Sequence, residues 1–345
     1  MKWNLLAMTM LLAIPMLASC TAQTLGNKGS DKNPAAGPET SGSKAVRLVS
    51  TIHMPGNGGF TDYLVVAPGT HTLYAAYRTE NKLFVVNTQT NSVIAVIGDL
   101  ARVCSVALVP GRNLGFTSNR GDDTVGVIDL TSNKLVRKLP GGHGPDAIVY
   151  NDAAKLVCVS NHEGRSITLI DPITEKGTTI KLGGLAEYLQ ADPKTGVIYQ
   201  NLEDTSEVVV IDPRNKVVTA RYKTAPGQEP TGLALDAENR RLFAACGNEK
   251  LVVLDADNGG VTATVPIGAG VDFAAYDPAL RRIYTANGRS GTMTVIRQDS
   301  ADEYTVLENV VTHRGAHALA IDLMTHRVYV TYGGSEIDVY EALTP

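Results

Sequence analysis

The chain is 345 residues long, a length that admits two average domains, and 43% hydrophobic with 19% charged residues places it among soluble globular chains. A net charge of −4 excludes a general nucleic-acid binder, which carries a basic face, and leaves little steering of polyanions.

Met1 to Cys20 has one early charge, Lys2, an apolar core from Leu5 to Leu17, and small residues before Cys20. That is the layout of an export signal, too short to remain as a membrane span. Leu17-Ala18-Ser19-Cys20 resembles a bacterial lipobox. The resemblance implies lipidation of Cys20 and a membrane partner through that anchor. It also implies a place on the extracytoplasmic side of the cell envelope, in the periplasm or on the outer membrane of a diderm cell. One acyl chain would hold marginally; several hold stably. Thr21 to Ser43 is rich in Gly, Ser, Pro, Asn and Lys, so burial cannot offset its ordering entropy. It reads as a flexible tether with an end-to-end distance of roughly 25 to 30 Å. The expected division is 1–20 signal peptide, 21–43 tether and 44–345 folded domain.

Ala45 to Met54 has strand character and no partner of its own. Beyond it a unit recurs every 41 to 45 residues, seen most plainly in Val271 to Arg297. Phe273 to Tyr276 is an apolar run, Asp277-Pro278 opens a turn, and Ile283 to Ala286 is a second run. Gly288 and Gly291 supply a loop, and Met293 to Ile296 alternates with period two. First strands begin near Tyr63, Ser105, Asp146, Tyr188, Gly232, Phe273 and Ala318. A fourth, outer strand follows in the first six units: Ser92 to Ile97, Lys134 to Leu139, Thr178 to Leu182, Val217 to Tyr222, Val261 to Ile267 and Tyr304 to Val310. The last unit ends one strand short. The reading is an all-β, seven-bladed β-propeller of four-stranded antiparallel blades, with Ala45 to Met54 pairing with Ile337 to Tyr340 to close the ring. A repeat that runs through the middle leaves no domain boundary, and one closed domain is expected to act as a monomer.

The tetrads Phe116-Thr117-Ser118-Asn119, Cys158-Val159-Ser160-Asn161, Tyr284-Thr285-Ala286-Asn287 and Tyr329-Val330-Thr331-Tyr332 look like the YVTN signature of the YVTN-type β-propeller repeat family. Val127-Ile128-Asp129, Leu169-Ile170-Asp171 and Val210-Ile211-Asp212 resemble the VID that closes its third strand. Tyr77, Leu202, Cys246 and Tyr332 replace the tetrad Asn, so those blades are expected to close the turn differently. The Asp residues that end third strands are assigned to turn capping.

In propellers that this chain resembles, the first position of the innermost strand looks toward the central channel. Aligning the units puts Asp62, Ser105, Asp146, Glu187, Thr231, Asp272 and His317 there as ligand-binding candidates at the channel mouth. Asp62, Asp146, Glu187 and Asp272 are the candidate metal ligands, and an oxygen-rich ring suits Ca²⁺ or Mg²⁺. A water-filled polar channel without a specific ligand is the plainer alternative. His317 falls between Asp272 and Asp62 across the closure, which biases it toward its charged form. Rim candidates are Arg102, His143 in a Gly-rich run, and, after second strands, Arg78, Arg120, His162, Arg165 and Arg289.

Cys104, Cys158 and Cys246 fall in different blades without CxxC spacing and read as buried free thiols. No HExxH or GxSxG is present, and the only Trp is Trp3, so the Trp-bearing motifs of WD40 and quinoprotein propellers are missing. Two functions are expected from these features. One is a non-enzymatic binding module for a protein, an envelope component or a small ligand. The other is a divalent-metal-assisted hydrolase or lactonase, in which the four carboxylates hold the cation and His317 or His143 moves a proton.

Overall fold

The computed structural model describes residues 45–56 and 58–343. Cys20, the signal segment and the 21–43 tether lie outside the described residues. Among the described residues, twenty-eight strands form seven antiparallel sheets of four, each a blade whose strands run in chain order from the channel outward. The seventh blade is the exception. Its outermost strand is Val46–His53, which pairs antiparallel with Glu336–Ala342, Val46 opposite Ala342 and Ile52 opposite Ile337. The ring therefore closes through chain segments almost 300 residues apart, and the last blade gains the fourth strand that the chain's end does not supply.

Sequence pattern separates the strands of a blade. Second and third strands such as Leu156–Asn161 and Ser166–Ile170 are buried along nearly their whole length, because neighbouring blades cover both faces. Outer strands such as Gly177–Lys181 alternate exposed and half-buried residues, since one face meets solvent.

The tetrad Asn has a structural task. Asn161 Nδ2 donates to Ser166 Oγ (3.2 Å) and Thr168 Oγ1 (2.9 Å), and Asn287 Nδ2 donates to Thr294 Oγ1 (2.9 Å), pinning the second strand to the third. Where Tyr332 stands instead, its hydroxyl donates to buried Asp338 (2.9 Å), whose other oxygen accepts from Thr51 of the closing strand (2.6 Å). The substitution thus ties the latch to its blade. The third-strand Asp residues cap turns: Asp129 Oδ1 accepts from the backbone of Thr131 (3.0 Å) and Ser132 (2.6 Å).

Candidate functional site

Six of the seven inner strands carry a register shift at their channel-mouth end, for example between Thr61 and Leu64 and between Val271 and Phe273. A bulge breaks strict alternation and re-aims side chains. Asp62 and Tyr63 accordingly both turn toward the axis, and the channel acquires two layers.

The upper layer holds the aligned hub residues. His317 bridges two carboxylates, with Nε2 3.1 Å from Asp62 and Nδ1 2.6 Å from Asp272, and Phe60 stacks over it edge-on at 4.4 Å. Arg78 donates to the second Asp62 oxygen (2.9 Å). Arg120 donates to Asp146 (3.0 Å) and to Glu163 (3.0 Å). His162 Nδ1 lies 2.8 Å from a Glu187 carboxylate oxygen. Ser105 is buried, and its backbone N–H donates to Ser118 Oγ (3.1 Å). Thr231 is half-buried and donates to the Val271 carbonyl of the next blade (3.1 Å).

Charge pairing sets the protonation of this layer. Burial alone would raise the Asp62 carboxyl, but the His317 hydrogen bond and charge, with Arg78, hold it below its usual value. Asp146 is pushed up to about 6 by burial and by the Asp62 charge, against the pull of Arg120. Burial, joined by the Asp146 charge, lifts Glu187 to about 7, and the Glu187 carboxylate raises His162. For His317 burial opposes charge, and the two flanking carboxylates overcome it, lifting the imidazole to about 10.

The four carboxylates do not gather on one point. Among the described residues, ligand atoms within 4.8 Å of one another occur in two groups, Asp62-Cys104-Asp146 and Asp146-His162-Glu187, and Asp272 joins neither. Arg78 and Arg120 occupy carboxylate oxygens that an oxygen-coordinated cation would need. Cys104, Cys158 and Cys246 are buried free thiols.

The lower layer was not expected. Tyr63 of blade 1, Tyr188 of blade 4 and Phe273 of blade 6 meet with ring centroids 5.6, 5.7 and 4.6 Å apart. These blades are not neighbours, so their rings can touch only by crossing the axis. They form a stopper, and the channel is a cup with an aromatic floor rather than a continuous watery pore. The Tyr63 hydroxyl is pushed far up by burial and then by the charges of Asp146, Glu187, Asp62 and Asp272.

Of the rim candidates, Arg102, His143 and Arg289 are exposed, and His143 Nδ1 lies 3.0 Å from Asp123. Arg165 pairs with Asp204. Arg78, Arg120 and His162 instead reach down to the hub carboxylates. The signal for them is their shared place, one residue after the second strand. One residue after the aligned second-strand tetrad, blades 5, 6 and 7 hold Gly247, Gly288 and Gly333, although in blade 7 the strand itself already ends at Thr331.

No protein-family model and no curated protein matches the chain. Among solved structures it is similar to the WD40 repeats of RRP9, with a TM-score of 0.75 and 9% identity, over 86% of this chain and 100% of that one. The protein is a seven-bladed β-propeller. At that identity the likeness shows the fold alone.

Proposed function

We propose that this protein is a binding module of the YVTN type, lipid-anchored to the cell envelope through Cys20, that takes a protein, an envelope component or a small ligand on the loop face above the channel. The lopsided mouth carries this reading. On one side the hub carboxylates are covered by Arg78, Arg120 and His162; on the other, glycines leave Asp272 and His317 accessible below exposed Arg289, His313 and Arg314. An accessible acid–base pair under a basic rim suits a ligand presenting both signs of charge. Its charges are already held in place, which lowers the ordering cost of binding.

The test presents wild type, an Arg289→Glu/Arg314→Glu variant and a Lys155→Glu variant, altered on the opposite face, to envelope proteins and glycans. Binders should be lost with the first variant and kept with the second. No binder, or loss only with the second, would overturn the assignment. For the anchor, Cys20→Ser should move the protein from the detergent phase to the aqueous phase.

A second reading, divalent-metal-assisted hydrolysis of a lactone-like substrate, is favoured by the Asp146-His162-Glu187 group. A cation there would displace the protons that burial favours on Asp146 and Glu187. A calcium or magnesium thermal shift together with lactone turnover supports it; neither effect removes it.

A further inference from the structure

Below the aromatic stopper, on the side of blades 1 to 3, lies a second recess of about 550 Å³. The inner strands Thr61–Ala67, Val103–Val109 and Pro145–Asn151 line it, with Tyr63, Tyr188 and the Ser105 of the hub ring at one end and the Pro68 and Pro110 turns at the other. It runs along the axis on the far side from the loop-face cup and shares with that cup the rings of Tyr63 and Tyr188 and the edge at Ser105.

Three observations define its chemistry. First, the apolar bulk is local. Three residues beyond the hub position, blades 1, 2 and 3 carry Val65, Leu108 and Val149, half-buried, while the other blades carry Gln190, Ala234, Ala275 and Ala320. Second, among the described residues no Lys, Arg or His lines it, and the one carboxylate there, Asp152, has Lys155 at 2.6 Å. An anionic head would find no counter-charge. Third, the few polar side chains sit apart from the wall, with Ser105 at the inner end and Thr70 and Asn113 toward the turns. A ligand of mixed character could place one hydroxyl or carbonyl at either end and nothing polar between. The volume is that of a small-molecule site, typically about 300 to 1,000 Å³. The wall is built of strands paired on their outer side, so the site is formed before any ligand arrives.

We propose that this recess binds an uncharged, largely apolar small molecule, independently of whatever the loop face takes. The occupant lies along Val65, Leu108 and Val149 with one end against the rings of Tyr63 and Tyr188. Covering those half-buried side chains supplies the driving force, and the absence of cations selects against fatty-acid-like anions.

The test uses the whole protein and N-phenyl-1-naphthylamine, a neutral fluorophore that brightens in apolar surroundings. Saturable one-to-one binding is expected, with the sulfonated analogue ANS weaker by about tenfold or more, since its charge would be desolvated without a partner. Filling the recess with Val149→Trp should weaken the neutral dye by about tenfold or more, and Val65→Phe should do so in part. Methyl NMR of the unaltered protein gives a readout that needs no variant: contacts from the dye to the Val65, Leu108 and Val149 methyl groups. Absence of saturable binding, equal affinity for the anionic dye, or methyl contacts elsewhere would each overturn the proposal. A loop-face variant such as Arg289→Glu should leave dye binding unchanged, so failure here and failure of the loop-face reading remain separate results.

Discussion

At the residue after the second-strand tetrad, blades 1, 2 and 3 carry Arg78, Arg120 and His162, whereas blades 5, 6 and 7 carry Gly247, Gly288 and Gly333. In blades 1, 2, 3, 5 and 6 the backbone N–H of this residue donates to a carbonyl of the loop before the blade, for example Arg120 to Arg102 (3.2 Å) and Gly288 to Gly270 (2.8 Å). Side-chain chemistry alone makes one side of the mouth a closed set of ion pairs and the other an opening. A propeller repeats one unit seven times, and a ligand that is not sevenfold needs the repetition broken. Here the break comes in the loops at the mouth, outside the strand pairing that builds each blade. The hub strands themselves keep the shared geometry.

Four measurements break or sharpen that contrast. The largest effect belongs to the closed side. Arg120→Ala leaves buried Asp146 and the half-exposed Glu163 without their cation. Removing one partner of a buried pair typically costs about 3 to 5 kcal/mol, and some solvent reaches Glu163, so about 3 kcal/mol is expected in urea unfolding. The loss should shrink below pH 6, where Asp146 takes up a proton. A loss under about 1 kcal/mol would reduce Arg120 to rim decoration.

The next effect is read against pH. His317 is raised to about 10 in the folded protein, above the ordinary 6.5. Its contribution is therefore complete below pH 6.5 and lost as pH rises through 10. Asp146 and Glu187, raised to about 6 and 7, act with the same sign at lower pH, because the folded state keeps protons that the unfolded chain releases. The melting temperature should fall from pH 6 toward pH 10. His317→Gln should lower it at pH 6 and flatten the alkaline part of the slope, and parallel curves would show that the imidazolium is not what bridges Asp62 and Asp272.

Much of this was legible in the chain. The tetrads, the VID ends and the unpaired Ala45 to Met54 carry local strand and turn chemistry, and each lies where the fold needs it. The hub positions followed from register, one per blade. What sequence could not deliver is direction and reach. Arg78 and Arg120 looked like rim residues because nothing local says that a long guanidinium bends back to an Asp on an inner strand, in the case of Arg120 one 26 residues away. The aromatic floor was harder still. Tyr63, Tyr188 and Phe273 belong to three non-adjacent blades, and they point inward only because a bulge disturbs the alternation on which strand reading depends. Cys104 read as an ordinary buried thiol, and its place between Asp62 and Asp146 is likewise a tertiary fact.

On the open side the effects are smaller and should differ among the glycines. A Cβ at Gly288 would lie 2.8 Å from the Ala316 carbonyl oxygen, a backbone atom of the next blade that cannot step aside. Overpacking of that kind costs about 1 to 3 kcal/mol, offset in part by the stiffer unfolded chain, so Gly288→Ala should destabilise by about 1 kcal/mol. An unchanged melt would mean that blades 6 and 7 stand farther apart than described.

Gly333 provides the smallest effect and the most informative one. Nothing lies within 4 Å of a Cβ built there, and its φ is not in the left-handed region. Gly333→Ala should therefore leave stability within about 0.5 kcal/mol, or raise it slightly through the unfolded state. Gly333 is thus open for want of a side chain and not for want of room, which permits the decisive substitution. Gly333→Arg places at blade 7, on the open side of the mouth, the guanidinium that Arg78 and Arg120 supply in blades 1 and 2. If the opening is what admits a ligand, this variant melts like the wild type and loses loop-face binding. Should binding persist with an arginine at blade 7, the asymmetry there is incidental and the partner rests on the outer loops instead.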